Sequence, residues 1–262
     1  MTPPLRPYGL ADLPVPTGEE SASFDRSAID DLGVPERVLM ESAGRATAHV
    51  VQRLWPSGEV VGVVGGGNNG GDTLVALRTL SAWGRRVRAV VVADRPREEP
   101  LLHGRALPRI LDEGHGDAPW ELLAGADVVL DGVLGTGIRG APRPRQARAI
   151  QALNEARAPV LALDIPSGVD AATGAVAGEA VRADVTVAFG WPKLGTLLGE
   201  GRRHRGRLVA VEIGFPPPGP DAFGAALVTP AWAAARLPRR EPETHKYEVG
   251  AVLVVAGRRG MA

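Results

Sequence analysis

Cysteine is absent from this 262-residue chain, which excludes disulfides and thiolate metal sites and fits a cytoplasmic setting. An excess of charge of either sign is lacking too. Thirty basic residues face 30 acidic ones, so neither a nucleic-acid footprint nor a strongly basic membrane surface is expected. No apolar run approaches the ~20 residues of a membrane span. Residues 1–20 are rich in Pro and polar groups and have no basic segment leading into an apolar one, so they read as a loose tail and not as a signal peptide. There is no GxSxG elbow and no GxxxxGK[ST] loop, and His49, His103, His115, His204 and His245 have no zinc-binding spacing. Lysine is nearly missing: 28 of the 30 basic residues are Arg, and only Lys193 and Lys246 are Lys. A lysine offers a compact charge with a tunable pKa, which Arg cannot imitate. Lys193 therefore invites a functional reason, with chance as the plain alternative.

What is present alternates. Helical spacing predicts helices at 23–32 and 34–54, then at 71–83, 101–111 and 145–156. Apolar, β-branched runs between and after them predict strands at 60–64, 87–92, 127–130, 160–163, 185–188, 208–213 and 225–228. Most of these runs are continuous and not alternating, which marks a parallel sheet covered on both faces. The expected class is α/β, a three-layer αβα sandwich with a Rossmann-like, mostly parallel sheet. Ligands in such folds bind at the carboxyl ends of the strands. Residues 214–224, "GFPPPGPDAFG", read as a connector, and 252–255 as a strand with no helix to complete its unit.

Four glycine-bearing segments follow predicted strands: "GGGNNGGD" (65–72), "DGVLGTGIRGAP" (131–142), "DIPSGVDAATG" (164–174) and "FGWPKLG" (189–195). A parallel sheet would bring all four to one edge. The first contains GxGxxG, a weak dinucleotide fingerprint alone, with Asp94 after the next strand as a candidate ribose ligand. Glycines admit a pyrophosphate, and free N–H groups at a helix start favour anions. Asp72 has the alternative of a helix N-cap, and Asn68 and Asn69 of turn residues. Asp131 and Asp164 each end a strand and point chemistry at the ligand edge, unless they are loop caps or solvated strand ends.

These segments, in this order and spacing, closely resemble the YjeF N-terminal family of NAD(P)HX epimerases over about residues 21–215, and "DRSAIDDLGVPERVLMESAG" (25–44) resembles that family's opening helices. The resemblance implies epimerisation of the R and S forms of hydrated NADH or NADPH at nicotinamide C6. It implies substrate contacts from Asn68, Asn69, Gly70, Gly71 and Asp72, from Gly135, Thr136, Gly137, Ile138, Arg139, Gly140 and Ala141, and from Asp164. It also implies one potassium ion per subunit on Asn69, Asp131 and Ser167. Asp164 is the expected acid/base and Lys193 its helper. The competing readings are an NAD-dependent oxidoreductase and a non-catalytic nucleotide-binding or scaffold module of the same fold. Residues 244–262 resemble the first strand of a ribokinase-like, ADP-dependent dehydratase domain. That divides the chain into a tail (1–20), an epimerase domain (21–222) and a linker with the truncated start of a second domain (223–262), so that ADP would matter only to the missing part. Expected partners are the small-molecule substrate, no nucleic acid and no membrane, with a homo-oligomer left open. One departure is Thr73, where the family usually has Gly. It is tolerable in a helix and consequential if it lies beside the ligand.

Overall fold

The computed structural model describes residues 13–96, 99–102, 104–111, 118–219, 221–237, 243, 251–254 and 257. In chain order the elements are β1 (Leu13–Pro14), α1 (Gly18–Asp30), α2 (Glu36–Leu54), β2 (Val60–Val64), α3 (Asn68–Ala82), β3 (Val87–Val91), β4 (Arg109–Leu111), α4 (Ala118–Ala124), β5 (Val128–Gly132), α5 (Pro144–Glu155), β6 (Val160–Leu163), β7 (Val185–Phe189), α6 (Gly201–His204), β8 (Arg207–Val211), β9 (Ala226–Leu227) and α7 (Pro230–Arg236). Single 3₁₀ turns occupy Pro100–Leu102 and Leu194–Thr196.

The chain divides into two units, Met1–Leu227 and Val228–Ala262. The first is built on a seven-stranded parallel sheet in the order β4-β3-β2-β5-β6-β7-β8. The valines of β2 show why its strands read as unbroken apolar runs. Val60 and Val64 pack into one core with α2 and α3, while Val61 and Val63 pack into the other with α5. Gly62 faces α3, where a Cβ would come within 2.7 Å of Leu77 and 2.8 Å of Thr73. The three-layer architecture is therefore as expected. The strand order reverses between β2 and β5, the topological switch point at which open α/β sheets bind ligands.

Several expectations are corrected. The described residues of 101–111 form no α-helix but the end of the 3₁₀ turn Pro100–Leu102 and the edge strand β4. Pro108 disfavours helical geometry at the residue before it, and the apolar residues pair beside β3 instead. Residues 13–20 are not a loose tail. β1 pairs antiparallel with β9, and α1 begins at Gly18 behind a capping box in which Thr17 and Glu20 satisfy each other's backbone N–H groups. The connector 214–224 is anchored as well. Phe215 stacks on Trp191 at 5.4 Å and 4°, and Phe24 of α1 meets Trp191 edge-on at 5.1 Å, with Phe223 packed against both. In the second unit, Val252–Val254 form no strand and are exposed. A lone apolar run has no ladder to join among that unit's described residues. Residue 255 and the rest of 244–262, apart from 251–254 and 257, lie outside the described residues, as do His103, His115 and His245.

Candidate active site

The sequence at the end of β2 runs straight into α3, and the glycines there divide the labour. A Cβ on Gly65 would lie 2.0 Å from the Val133 carbonyl oxygen, and one on Gly70 would lie 2.1 Å from the Gly65 carbonyl oxygen. These two let the backbones of the β2 end, the β5 loop and α3 touch. Gly67 differs: a Cβ there meets nothing within 4 Å. Gly67 is the N-cap of α3 and supplies no side-chain cap, so the first-turn N–H groups face open space, a geometry suited to an anion. Arg95 buttresses the loop from behind, donating to the Gly65 carbonyl at 3.0 Å and to Glu99 at 2.9 Å.

That open space is a cavity of about 860 Å³, which suits a nucleotide-sized ligand. Of the substrate contacts expected from the sequence, Asn68, Asn69, Asp72, Gly135, Thr136, Gly137, Ile138, Arg139, Ala141 and Asp164 line it. Gly70, Gly71 and Gly140 do not. Gly71 lies against Met40 and Leu101, and Gly140 takes a positive φ of 74° beside a smaller hollow. Asp72 is inside α3 and not at its N-cap, because the helix starts three residues earlier than its apolar pattern suggests. Thr73 is fully buried and donates to the Asn69 carbonyl at 2.9 Å, filling space beside Gly62 and Gly132. It does not line the cavity. Asp94 is fully exposed, 3.8 Å from Arg145, and does not line the cavity either.

Three side chains expected to hold a cation gather around Leu134. The Asn69 Nδ2 donates to the carbonyls of Leu134 (2.7 Å) and Leu163 (3.0 Å). Ser167 Oγ accepts from the Leu134 N–H at 2.8 Å and donates to Asp131 Oδ1 at 2.6 Å. Asp131, with no exposed surface, also accepts from the Ser167 and Val133 N–H groups. Burial pushes its carboxyl up to about 6, against the pull of these hydrogen bonds. The Asn69 Oδ1 is buried and takes no hydrogen bond. An orphan amide oxygen beside a buried carboxylate and a hydroxyl is an all-oxygen donor set with one negative charge. It fits a hard monovalent cation.

At the end of β6 stands Asp164, which, among the described residues, is the single non-glycine with a positive φ (63°). Its Oδ1 accepts from Lys193 Nζ at 2.5 Å and from the Phe189 N–H at 3.0 Å. Lys193 is 2% exposed and also donates to the Phe189 carbonyl (2.9 Å) and the Trp191 carbonyl (3.2 Å). The scarce lysine is thus a buried clamp on the carboxylate, and backbone held in the left-handed region is a recurrent mark of functional sites. Two carboxyls stand nearby. Burial raises Asp72 well above the usual carboxylate range, with Asp164 and Asp25 adding to it. Asp25, on α1, lines the same cavity. No motif points to it, since a single acid on an amphipathic helix has no distinguishing pattern.

Residues 36–195 match the family described as YjeF-related protein N-terminus. A bifunctional NAD(P)H-hydrate repair enzyme Nnr from Pyrobaculum aerophilum is 42% identical over 256 residues, covering 92% of this chain and 49% of that protein. An NAD(P)H-hydrate epimerase from Limosilactobacillus fermentum is 33% identical over 204 residues, covering 75% of this chain and 95% of that protein. The chain spans about half the length of the bifunctional relatives it matches. The crystal structure of yeast ynu0, YNL200c, superposes with a TM-score of 0.65 at 21% identity, over 82% of this chain and 99% of that one, and so shares the fold.

Proposed function

We propose, from the premise that the chain belongs to the YjeF-related N-terminal family, that it interconverts the R and S forms of hydrated NADH and NADPH. The carrying observation is the cavity itself. One wall is the uncapped start of α3 behind an open Gly67, and another is the clamped Asp164–Lys193 pair. The first suits a pyrophosphate. The second suits a nicotinamide ring that gains positive charge as its C6 hydroxyl leaves.

Nitrogen lone-pair donation expels the hydroxyl, and water re-enters C6 from the other face. Asp164 serves this as a carboxylate with one oxygen fixed by Lys193 and Phe189. It stabilises the cationic ring and accepts a proton from entering water. Rigid placement of such a group is what makes acid–base help effective. Asn69, Asp131 and Ser167 would hold a potassium ion, which supplies positive charge beside the buried Asp131 and ties the ends of β5 and β6 to α3. With its donor set drawn from three elements, the site also carries a stability signature.

The reading is tested with purified chain and the R form of hydrated NADH, followed to the equilibrium mixture by chromatography of the two epimers. Epimerisation well above the buffer rate is expected. A rate equal to buffer alone overturns it. Potassium is expected to raise the melting temperature more than lithium or choline does, since a ligand at 100 Kd adds about 2.7 kcal/mol. Asp131→Ala and Asn69→Ala should each lose that potassium-specific rise. Identical melting in all three salts removes the cation from the site.

A further inference from the structure

Residues 21, 25 and 29 form one stripe of α1 that faces the cavity, and Asp25 is its acid. Four carboxyls therefore line this space, Asp25, Asp72 and Asp164 beside one buried cation and Glu36 at the exposed start of α2. The cation is fully committed. Lys193 has three N–H donors, and they reach Asp164 and the carbonyls of Phe189 and Trp191. Asp164 thereby takes the one carboxylate bond that Lys193 makes, and Asp25 and Asp72 receive no hydrogen bond from it. Asp72 is 7% exposed, and burial raises its carboxyl, with Asp164, Asp25 and Glu36 adding to the rise against the pull of Lys193. Asp25 is half-buried on the cavity wall, and its helix is registered against the Lys193 loop by the edge-on contact of Phe24 with Trp191. Burial pushes the Asp25 carboxyl up to about 6. Lys193 pulls it down, Asp164 and Glu36 push it up, and Arg26 pulls it down. It can hold and release a proton near neutrality.

Inversion at C6 needs chemistry on both faces of the ring. A single group serves one face, and exchange through it alone returns the hydroxyl to the side it left. We propose that Asp25 is the second proton-carrying carboxyl of the epimerisation, acting on the face opposite Asp164. In one direction the Asp25 carboxyl donates its proton to the C6 hydroxyl. The C6–O bond breaks, the ring nitrogen forms the C=N⁺ bond, and water leaves. A second water then attacks C6 from the other face, gives its proton to the Asp164 carboxylate and restores the nitrogen lone pair. The reverse direction uses the two carboxyls with their tasks exchanged, and a proton relayed through water resets them. This inference rests on the epimerase reading.

The test uses H₂¹⁸O with each hydrated NADH epimer separately, measuring label uptake and inversion in the same samples. In the wild-type chain both epimers invert and the inverted product carries the label. In Asp25→Asn, inversion should fall about 10²–10⁴-fold, the usual share of acid–base help. One epimer, the one whose hydroxyl faces Asp164, should still take up label without inverting. Asp25→Glu should recover part of the inversion. Equal loss of uptake and inversion in both epimers makes Asp25 structural and overturns the inference, as does unchanged inversion. A wild-type chain that neither inverts nor labels either epimer overturns the epimerase reading, and the inference with it.

Discussion

Asp164→Asn is expected to lower epimerase turnover by about 10²–10⁴-fold while leaving KM within about threefold. The substitution isolates the titrating group. An asparagine Oδ1 can still accept from Lys193 and from the Phe189 N–H, the two bonds that hold this side chain. Asparagine also tolerates the positive φ of 63° at this position, whereas most other replacements would add backbone strain. What is lost is the negative charge beside the ring and the proton acceptor. Steady-state kinetics on the purified variant decide the matter, with circular dichroism to confirm folding. Unchanged turnover would leave Asp164 a binding residue and move the base elsewhere.

The glycine cluster yields the second large effect, and it separates stability from binding within four residues. Gly70→Ala should destabilise the chain by about 3 kcal/mol or leave it insoluble, because the new Cβ would sit 2.1 Å from the Gly65 carbonyl oxygen and backbone cannot rotate aside. That is a large share of the about 5–15 kcal/mol that holds a typical domain together. Gly67→Ala has open space and a φ of −90°, so its denaturation midpoint should not change. Its methyl would instead stand where a pyrophosphate approaches the start of α3, and KM should rise about tenfold, equivalent to about 1.4 kcal/mol. Urea titration and steady-state kinetics on the two variants check both halves. A stable Gly70→Ala, or a Gly67→Ala with wild-type KM, refutes the assigned division of roles.

The central strands were legible because burial on both faces leaves an unbroken apolar run, as in the five buried residues of β2. The start of α3 was less so. Asn-Asn-Gly-Gly has poor helix propensity, and here packing against β2, β5 and α2 overrides it. At 101–111 six apolar residues have a spacing that allows a helix, but Gly104 and Pro108 interrupt it. At the site, sequence motifs point to Asn69, Asp131, Asp164, Ser167 and Lys193, because each stands at or beyond the carboxyl end of a strand of the same sheet and topology does the gathering. Asp25 and the Phe24–Trp191–Phe215 packing escaped notice for the opposite reason. They join residues well over 100 positions apart, and no local pattern announces such a contact.

The pairing of β1 with β9 sets Leu13 opposite Leu227, and Glu20 reaches across the same seam to the Gly224 N–H at 2.9 Å. Leu13, where the description of the first unit begins, and Leu227, where the unit ends, are therefore neighbours. In topological terms the unit is a ring closed by a short two-rung latch. Its ends could be joined by a brief linker and the ring reopened in a surface loop without stretching the sheet. The latch also lies next to α1, so the wall of the cavity that carries Asp25 is fastened by β9, the strand at the end of the first unit. Translation must pass residue 227 before that wall can close.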